Sequence, residues 1–568
     1  MARINGQTSA APREVHNWRI YALAICASMG SAMFGYDSAF IGGTMALPSF
    51  QSRFGLSDVS ATTLASLKAN IVSTFQAGCF FGAIICHGAT EKLGRKCTLV
   101  ACGIIFDVGV VFQLVSSGHI GFIYAGRAIT GLAVGASSLL VPVYISECSP
   151  HAIRGRMVGI FEIFLQVFQV IGFWMNYAVN IHQSSTSNSQ WLIPFGFQLL
   201  PGTALALAML TQPESPRWLI KAGKTSRARK ILSKIRNLPQ DHPYIQEEVQ
   251  SVECQLENET RGTLEQTQGF IGLCRELAAP GVRNRLLLGM SFMMLQNLVR
   301  LGSSFLSIGL VYEEMLITWM KLQVGANAIN YYSPSIFASI GLTGRSVGLL
   351  ATGVYGIIKV VATSLFVRFI VDRFGRRVPL LIGSAVALTS MLYLGIYCAV
   401  SGAFSGGASQ SAGGYIAVVF VYVYAIAFCC SWNSIAWIFC AEIFPLGVRS
   451  VCLVATTCCQ WLGQFIVVYS TPYMMEKIKW GTFIFFAAFI VVGIIFAYFL
   501  VPETARLTLE DMDILFSTKG SARHKRRAVD AILQHRRQND DLCDDLKVKD
   551  LAKLQLEPTS KHVEESRL

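Results

Sequence analysis

The sequence is poor in charged residues. Only 14% of its 568 residues are Asp, Glu, Lys or Arg, against about a quarter in soluble domains, while 53% are hydrophobic and the mean hydropathy is +0.48. This balance excludes an ordinary soluble enzyme. Apolar blocks of about 20 residues, separated by short polar stretches, indicate a polytopic membrane protein instead.

Other signals are missing as well. Residues 1–17 have no apolar stretch before a cleavage site, so we expect no removable signal peptide and a cytosolic amino terminus. The 16 cysteines lack zinc-ligand spacing, and nothing in the chain indicates a metal, a cofactor, a nucleotide or a catalytic nucleophile. The net charge of +13 comes from basic residues scattered between apolar blocks and in the tail, so we expect no nucleic-acid partner.

The apolar blocks predict twelve membrane spans. They are 18–43, 66–87, 97–116, 120–146, 156–178, 191–211, 285–340 (interrupted), 345–371, 378–400, 413–440, 449–475 and 480–501. Lys and Arg are frequent in the stretch 213–284 and absent from the loops 119–121, 179–190 and 401–414. The positive-inside rule therefore places the basic loops and both termini in the cytosol.

Three pairs of motifs recur in the same order in the two halves of the chain. Residues 88–96 correspond to 371–377, 146–155 to 441–450, and 213–219 to 502–512. A duplicated six-span unit explains this order. We therefore predict an all-α polytopic membrane protein with twelve transmembrane helices in two six-helix pseudo-repeats. Its parts are a cytosolic amino terminus (1–17), two bundles (18–212 and 285–501), a cytosolic central loop (213–284) and a cytosolic tail (502–568).

The motifs resemble those of the major facilitator superfamily, sugar porter family. The resemblance rests on GRAITGLAVG (126–135), PVYISECSPHAIRG (142–155), PESPRWL (213–219), NAINYYSP (327–334), AEIFP (441–445) and PETARLTLEDM (502–512). A closer resemblance, to fungal quinate permeases, rests on NWRIYA (17–22), GYDSAFIGGTMALPSF (35–50), NIVSTFQAGCFFG (70–82) and QWLIPFGFQL (190–199). It implies a central site that opens alternately to each side and carries quinate inward with a proton.

Ionisable residues inside spans are costly to bury and are therefore candidates for function. The helical rise places Asp37 and Arg127 in the outer half of the bilayer, where they can pair. In sugar porters the matching pair is regarded as the proton site. The alternative is a permanent ion pair that orders the bundle.

Glu162 and Lys359 lie near the cytosolic face by the same argument. In the resembled fold, spans five and eight are neighbours. We expect either a Glu162–Lys359 contact that closes the inner side of the cavity, or a Lys359 ammonium that receives a substrate carboxylate. A structural pair without ligand contact remains open.

Polar and aromatic residues in midspan complete the candidate substrate site. Amides suit the hydroxyl groups of a polyol, and an aromatic ring covers its CH surface. The candidates besides Lys359 are Gln166, Gln296, Asn297, Asn327, Tyr331, Tyr332, Trp437 and Gln464. Helix–helix hydrogen bonds, or lipid contact for Trp437, are the alternatives. Asn433, Ser434 and Gln464 depart from the hexose porter pattern, which weakens a hexose assignment.

Acidic and basic residues recur at matched loop positions of both halves. They are Glu91, Arg95, Lys96, Glu147 and Arg154 in the first half, and Asp372, Arg376, Arg377, Glu442 and Arg449 in the second. We expect them to form cytosolic charge networks that latch one open state, with topology and solubility alone as the alternative. Asp107 in span three has no partner that the sequence identifies.

Span seven is interrupted. Gln296 and Asn297 stand far from Asn327, and the intervening stretch contains charges that do not belong inside a bilayer. Removal of residues 299–323 restores the family spacing. We therefore expect this segment to be a retained intron rather than a true insertion.

The sequence thus predicts a plasma-membrane transporter that imports quinate or a related polyhydroxylated carboxylate with a proton. We expect it to work as a monomer in the lipid bilayer. A monosaccharide–proton symporter is one alternative. A non-transporting nutrient sensor that signals through its long tail is the other.

Overall fold

The computed structural model describes most of the two bundles. The described residues are 17–56, 59–150, 153–264, 277–298, 345–401, 412–445, 448–504 and parts of 512–532. The candidates Asn327, Tyr331 and Tyr332 and the segment 299–323 lie outside them.

Six long helices form the first half, and a short one, Pro48–Arg53, lies in the connection after the first. The long helices are α1 (Trp18–Thr44), α2 (Ala61–Leu93), α3 (Arg95–Leu114), α4 (Ile120–Cys148), α5 (Arg154–His182) and α6, which runs as Ser189–Phe197 and Leu199–Thr211. Their starts lie within about five residues of the predicted spans, because the apolar blocks are bounded by polar or glycine-containing turns.

The second half repeats this arrangement. Its helices are α7 (Pro280–Leu298), α8 (Arg345–Leu365), α9 (Arg377–Val400), α10 (Ala412–Phe428 and Ser434–Ile443), α11 (Arg449–Lys477) and α12 (Gly481–Phe499). Ten of the described helical stretches are long and apolar enough to cross a membrane, and α1 and α7 complete the twelve. The all-α fold in two six-helix halves is therefore confirmed.

Each half has its own apolar core, and the halves meet chiefly along two helix pairs. Helix α2 packs on α11, and α5 packs on α8. Trp461 of α11 inserts into the core of the first half, where its indole nitrogen donates to Ser138 Oγ at 3.2 Å. The site between the halves is therefore bounded by helices from both repeats.

Helices α1 and α5 approach each other closely. A Cβ atom at Gly35 of α1 would lie 2.1 Å from the backbone oxygen of Leu165 in α5. Asn176 of α5 donates to Phe40 O at 2.7 Å and accepts from Thr44 Oγ1 at 2.7 Å. These contacts fix α1 and α5 as one unit.

The central loop contains helices that the hydropathy pattern did not predict. They are Pro216–Lys221, Thr225–Arg236 and Pro243–Leu264, and their buried residues form a small core of their own. Asn17 and Arg19, at the start of α1, donate to the backbone oxygens of Ile235 and Lys234 at 2.8 and 2.7 Å. The loop helices are thereby attached to the end of the bundle that carries the basic connections, which we call the basic end.

Two spanning helices contain π-helical turns. Phe366–Ile370 follows α8, and Cys429–Asn433 interrupts α10. Such turns widen a helix locally and are frequent at functional sites. The second one ends at Asn433, whose side chain faces α5, as described below.

Candidate functional site

Asp37 and Arg127 form a fully buried ion pair. Arg127 Nη1 lies 3.0 Å from Asp37 Oδ1, and both side chains are 0% exposed. The guanidinium carbon lies 4.9 Å from the centre of the Phe75 ring. Asp37 Oδ2, Arg127 Nε and Arg127 Nη2 have no hydrogen-bond partner among the described residues. The ion pair thus joins α1 to α4 inside the first half.

Lys359 lies deep between the halves. Its side chain, in α8, is 4% exposed, and Nζ donates to Gln169 Oε1 in α5 at 2.6 Å. The ammonium lies 5.5 Å from the centre of the Tyr355 ring, one helical turn earlier. The structure therefore provides a buried positive charge that faces a neutral amide of the opposite half.

Glu162 has amide partners rather than Lys359. It accepts hydrogen bonds from Gln166 at 3.1 Å and from Asn433 Nδ2 of α10. The expected direct Glu162–Lys359 contact does not occur among the described side-chain bonds, because Lys359 reaches Gln169, about two turns further along α5.

A second link continues from Gln169 into the first half. Gln169 Nε2 donates to Ser38 Oγ of α1 at 2.9 Å, and Ser38 Oγ donates to Gly35 O at 2.9 Å. Ser38 directly follows Asp37 in the sequence. One amide and one hydroxyl therefore link Lys359 to α1 at the residue next to Asp37.

The amides of α7 bind helices of their own half. Gln296 Nε2 donates to Asn433 O at 3.2 Å, and Asn297 Nδ2 donates to Gln460 Oε1 at 2.6 Å. The carbonyl oxygens of Gln166 and Gln296 are buried and have no partner within the described parts of the chain. These two oxygens can accept hydrogen bonds from a ligand's hydroxyl groups.

For two further substrate candidates, Gln464 and Trp437, the structure shows their burial. Gln464 of α11 is buried, and Trp437 of α10 is half-buried against the core of the second half.

Asp107 has a partner that the sequence did not identify. Thr203 Oγ1 of α6 donates to Asp107 Oδ2 at 2.8 Å. It thus joins α3 to α6 away from the site.

A charge network closes the basic end of the first half. Arg95 binds Glu147 with two contacts of 3.1 Å and lies 3.6 Å from Glu91. Glu214 accepts from the backbone nitrogens of Arg95 and Lys96 at 2.9 and 3.0 Å and so caps the start of α3.

The second half repeats this network at the matched positions. Arg376 lies 2.9 Å from Glu442, and Glu503 accepts from the backbone nitrogens of Arg376 and Arg377 at 2.9 Å each. Thr504 donates to Glu442 at 2.7 Å, as Ser215 donates to Glu147 at 2.5 Å. The same set of contacts therefore occurs at the basic end of both halves.

Three network candidates are not fully placed. The side chains of Arg154 and Asp372 lie outside the described part of the structure. Arg449, at the start of α11, is half-buried and interacts with its surroundings.

Sequence reasoning missed Gln169, Asn433 and Ser38 as site residues. The signal for Gln169 is helical spacing: Glu162, Gln166 and Gln169 stand at i, i+4 and i+7, on one face of α5. The sequence marks Asn433 only as a departure from the hexose porter pattern. Nothing in a single sequence indicates that it faces Glu162.

Comparison with known proteins identifies the family. A family model described as "Sugar (and other) transporter" matches residues 23–306 and 311–516. The chain is 40% identical over 511 residues to the probable quinate permease of Aspergillus fumigatus, covering 89% of each protein. It is 40% identical over 514 residues to the quinate permease of Neurospora terricola, covering 89% of this chain and 90% of that one.

Solved structures agree on the fold. The proton:xylose symporter XylE bound to 6-bromo-6-deoxy-D-glucose superposes with a TM-score of 0.70 at 24% identity, covering 88% of this chain and 99% of that one. A partially occluded inward-open conformation of XylE from E. coli gives a TM-score of 0.68 at 24% identity, covering 87% and 100%. The chain therefore belongs to the sugar (and other) transporter family, with the major facilitator fold, and is a multi-pass membrane transporter rather than an enzyme.

Proposed function

We propose that the protein imports quinate or a related polyhydroxylated carboxylate together with a proton. The observation that carries this proposal is the buried Lys359 ammonium, which points from α8 at the Gln169 amide of α5. A carboxylate that replaces the neutral Gln169 oxygen adds the attraction between two opposite charges to the hydrogen bond. The names of the similar permeases support the same substrate class.

The rest of the site suits the remainder of such a substrate. The buried carbonyl oxygens of Gln166 and Gln296 are available as acceptors for ring hydroxyls. Trp437 supplies an aromatic surface of the kind that covers CH groups, and Asn297 orients α7 through its bond to Gln460. Asn327, Tyr331 and Tyr332 belong to the same proposal.

Proton coupling is assigned to Asp37 and Arg127. An arginine keeps its charge, so the carboxylate accepts a proton only when the pair loosens or its access to solvent changes. Protonation then favours one side being open over the other. The charge networks at the basic end, with Arg154, Asp372 and Arg449, latch and release as the halves move.

The protein works as a monomer in the plasma membrane, with both termini in the cytosol. The connections rich in Lys and Arg, together with the central loop helices, lie at the basic end of the bundle. The positive-inside rule assigns that end to the cytosol.

Uptake of labelled quinate and labelled hexoses, with and without a proton uncoupler, tests the proposal. The full chain and a chain without residues 299–323 are compared in the same cells. We expect quinate to accumulate in at least one of the two, and the uncoupler to abolish accumulation. Hexose accumulation without quinate uptake supports a monosaccharide symporter. No uptake of any solute by either chain supports a sensor.

A further inference from the structure

We infer that Gln169 makes transport conditional on a negative charge on the substrate. The inference rests on the proposed binding of a substrate carboxylate at Lys359. Gln169 does not have to touch the substrate; it acts on α8 through Lys359 and is therefore a positioning residue that determines specificity.

The orientation of the Gln169 amide is fixed from both sides. An ammonium only donates hydrogen bonds, so the amide oxygen must face Lys359, at 2.6 Å. The amide nitrogen then faces Ser38 Oγ, at 2.9 Å. Gln169 and Ser38 are 3% and 2% exposed, so water does not compete for these bonds.

The two ends of this amide belong to different moving parts. Ser38 and Gln169 lie on the α1–α5 unit, which Gly35 and Asn176 hold together without space between the backbones. Lys359 lies on α8 in the other half. The Lys359–Gln169 bond therefore ties the two halves together at the candidate substrate site.

A substrate carboxylate competes with the Gln169 amide oxygen for the Lys359 ammonium and so breaks the bond between the halves. Both bonds have the charged ammonium as donor, but a carboxylate adds the Coulomb attraction of its own negative charge, so the ammonium leaves the amide for the carboxylate. Helix α8 then loses its bond to α5 at this point, while Asn180 of α5 still donates to Ser346 Oγ of α8 at 3.0 Å. A neutral molecule of the same shape leaves the Lys359–Gln169 bond intact, and the halves stay tied.

The test compares uptake of quinate with uptake of its methyl ester, which keeps the ring hydroxyls but has no charge. Gln169→Leu and Gln169→Met remove the acceptor. We expect both to lower the quinate-to-ester uptake ratio by about tenfold or more, chiefly through a gain of ester uptake, because a bond to a charged group is lost. Gln169→Glu strengthens the tie, and we expect it to slow uptake of both solutes.

Ser390→Ala is the control. Ser390 Oγ donates to Val386 O at 2.9 Å within α9. The variant loses this buried bond and leaves the Lys359–Gln169 bond in place, so we expect an unchanged ratio. All rates are divided by the amount of each variant at the cell surface. An unchanged ratio in both the Leu and the Met variant overturns the inference. Absence of quinate uptake by the unaltered protein overturns the proposed function instead, and the inference falls with it.

Discussion

Among single residues, Asp37 offers both properties that a coupling site needs. One carboxylate oxygen is held by Arg127, while the other has no hydrogen-bond partner among the described residues. We predict that Asp37→Asn abolishes accumulation of substrate and its sensitivity to uncouplers, because an amide does not ionise. Exchange of labelled for unlabelled substrate across the membrane, which needs no net proton movement, continues. Both are measured in the same vesicles.

A suitable control is Ser31→Ala in the same helix. Within the described parts of the chain, Ser31 Oγ binds the Ser28 backbone oxygen alone, at 2.7 Å and within α1. We expect it to accumulate substrate normally. If Asp37→Asn still concentrates substrate, the proton does not bind at Asp37.

Gly94 permits the turn between α2 and α3. Its φ is 89° and its ψ is 173°, and a Cβ there would lie 2.5 Å from Glu214 Oε2. We predict that Gly94→Ala destabilises the protein by about 1–3 kcal/mol from backbone strain alone, with a further loss if the Glu214 cap is displaced. Thermal unfolding in detergent measures the effect.

Gly88, six residues earlier within α2, is the control. A Cβ at Gly88 meets nothing within 4 Å. Gly88→Ala should therefore raise the melting temperature slightly, since alanine favours the helix by about 0.5–1 kcal/mol. Equal melting temperatures for the two variants would contradict the assigned strain.

Depth along a helix can be predicted from sequence, whereas direction across the bundle cannot. The pairing of Asp37 with Arg127 followed from counting residues from the membrane edge. The partner of Lys359 could not be found by counting residues, because Glu162 and Gln169 lie on the same face of α5. Only the packing of α8 on α5 selects Gln169.

At the scale of helices, the paired caps show what the repeated motifs do. Glu214 and Glu503 come from the PES and PET motifs and each hold two backbone nitrogens at the start of α3 or α9. A carboxylate stabilises a helix amino terminus through the helix dipole. The duplicated motifs thus cap corresponding helices of the two halves, α3 and α9.

Helix α7 carries the one departure from the family spacing. Its described part ends at Leu298, immediately before the segment 299–323. We predict that most mature transcripts lack this segment, because its charged residues do not suit a membrane span. Sequencing of the spliced message tests this. Reads that retain 299–323 in most transcripts show that the insertion is genuine.

The spanning helices were predicted well, and the central loop helices were not. An apolar block long enough to cross a bilayer is a strong signal. Thr225–Arg236 instead buries only a narrow apolar stripe, including Ala228, Leu232 and Ile235, in a mostly charged segment. Such a stripe can be identified as a buried helix face only once the residues that pack against it are known.

At the scale of the molecule, the topology has a direct test. Cys97 is exposed at the basic end, at the start of α3, and Ser185 is exposed in the opposite connection between α5 and α6. We predict that a membrane-impermeant thiol reagent labels Ser185→Cys in intact cells, because the loop 179–190 faces outward. Cys97 should react only after the cells are permeabilised.

The unaltered protein serves as the control in intact cells and should remain unlabelled there. Labelling of Cys97 without permeabilisation would reverse the orientation. It would leave the fold unchanged but place the basic connections outside, contrary to the positive-inside rule.

The close contact of α1 with α5 also limits how such a carrier evolves. Residue 35 has to remain glycine, because even a methyl group would meet the Leu165 carbonyl at 2.1 Å. Mutations that change cargo preference are therefore expected to accumulate on α8 and α10, whose side chains face this unit across the interface. The α1–α5 unit, which carries Asp37, can then be inherited unchanged while the preferred substrate diverges.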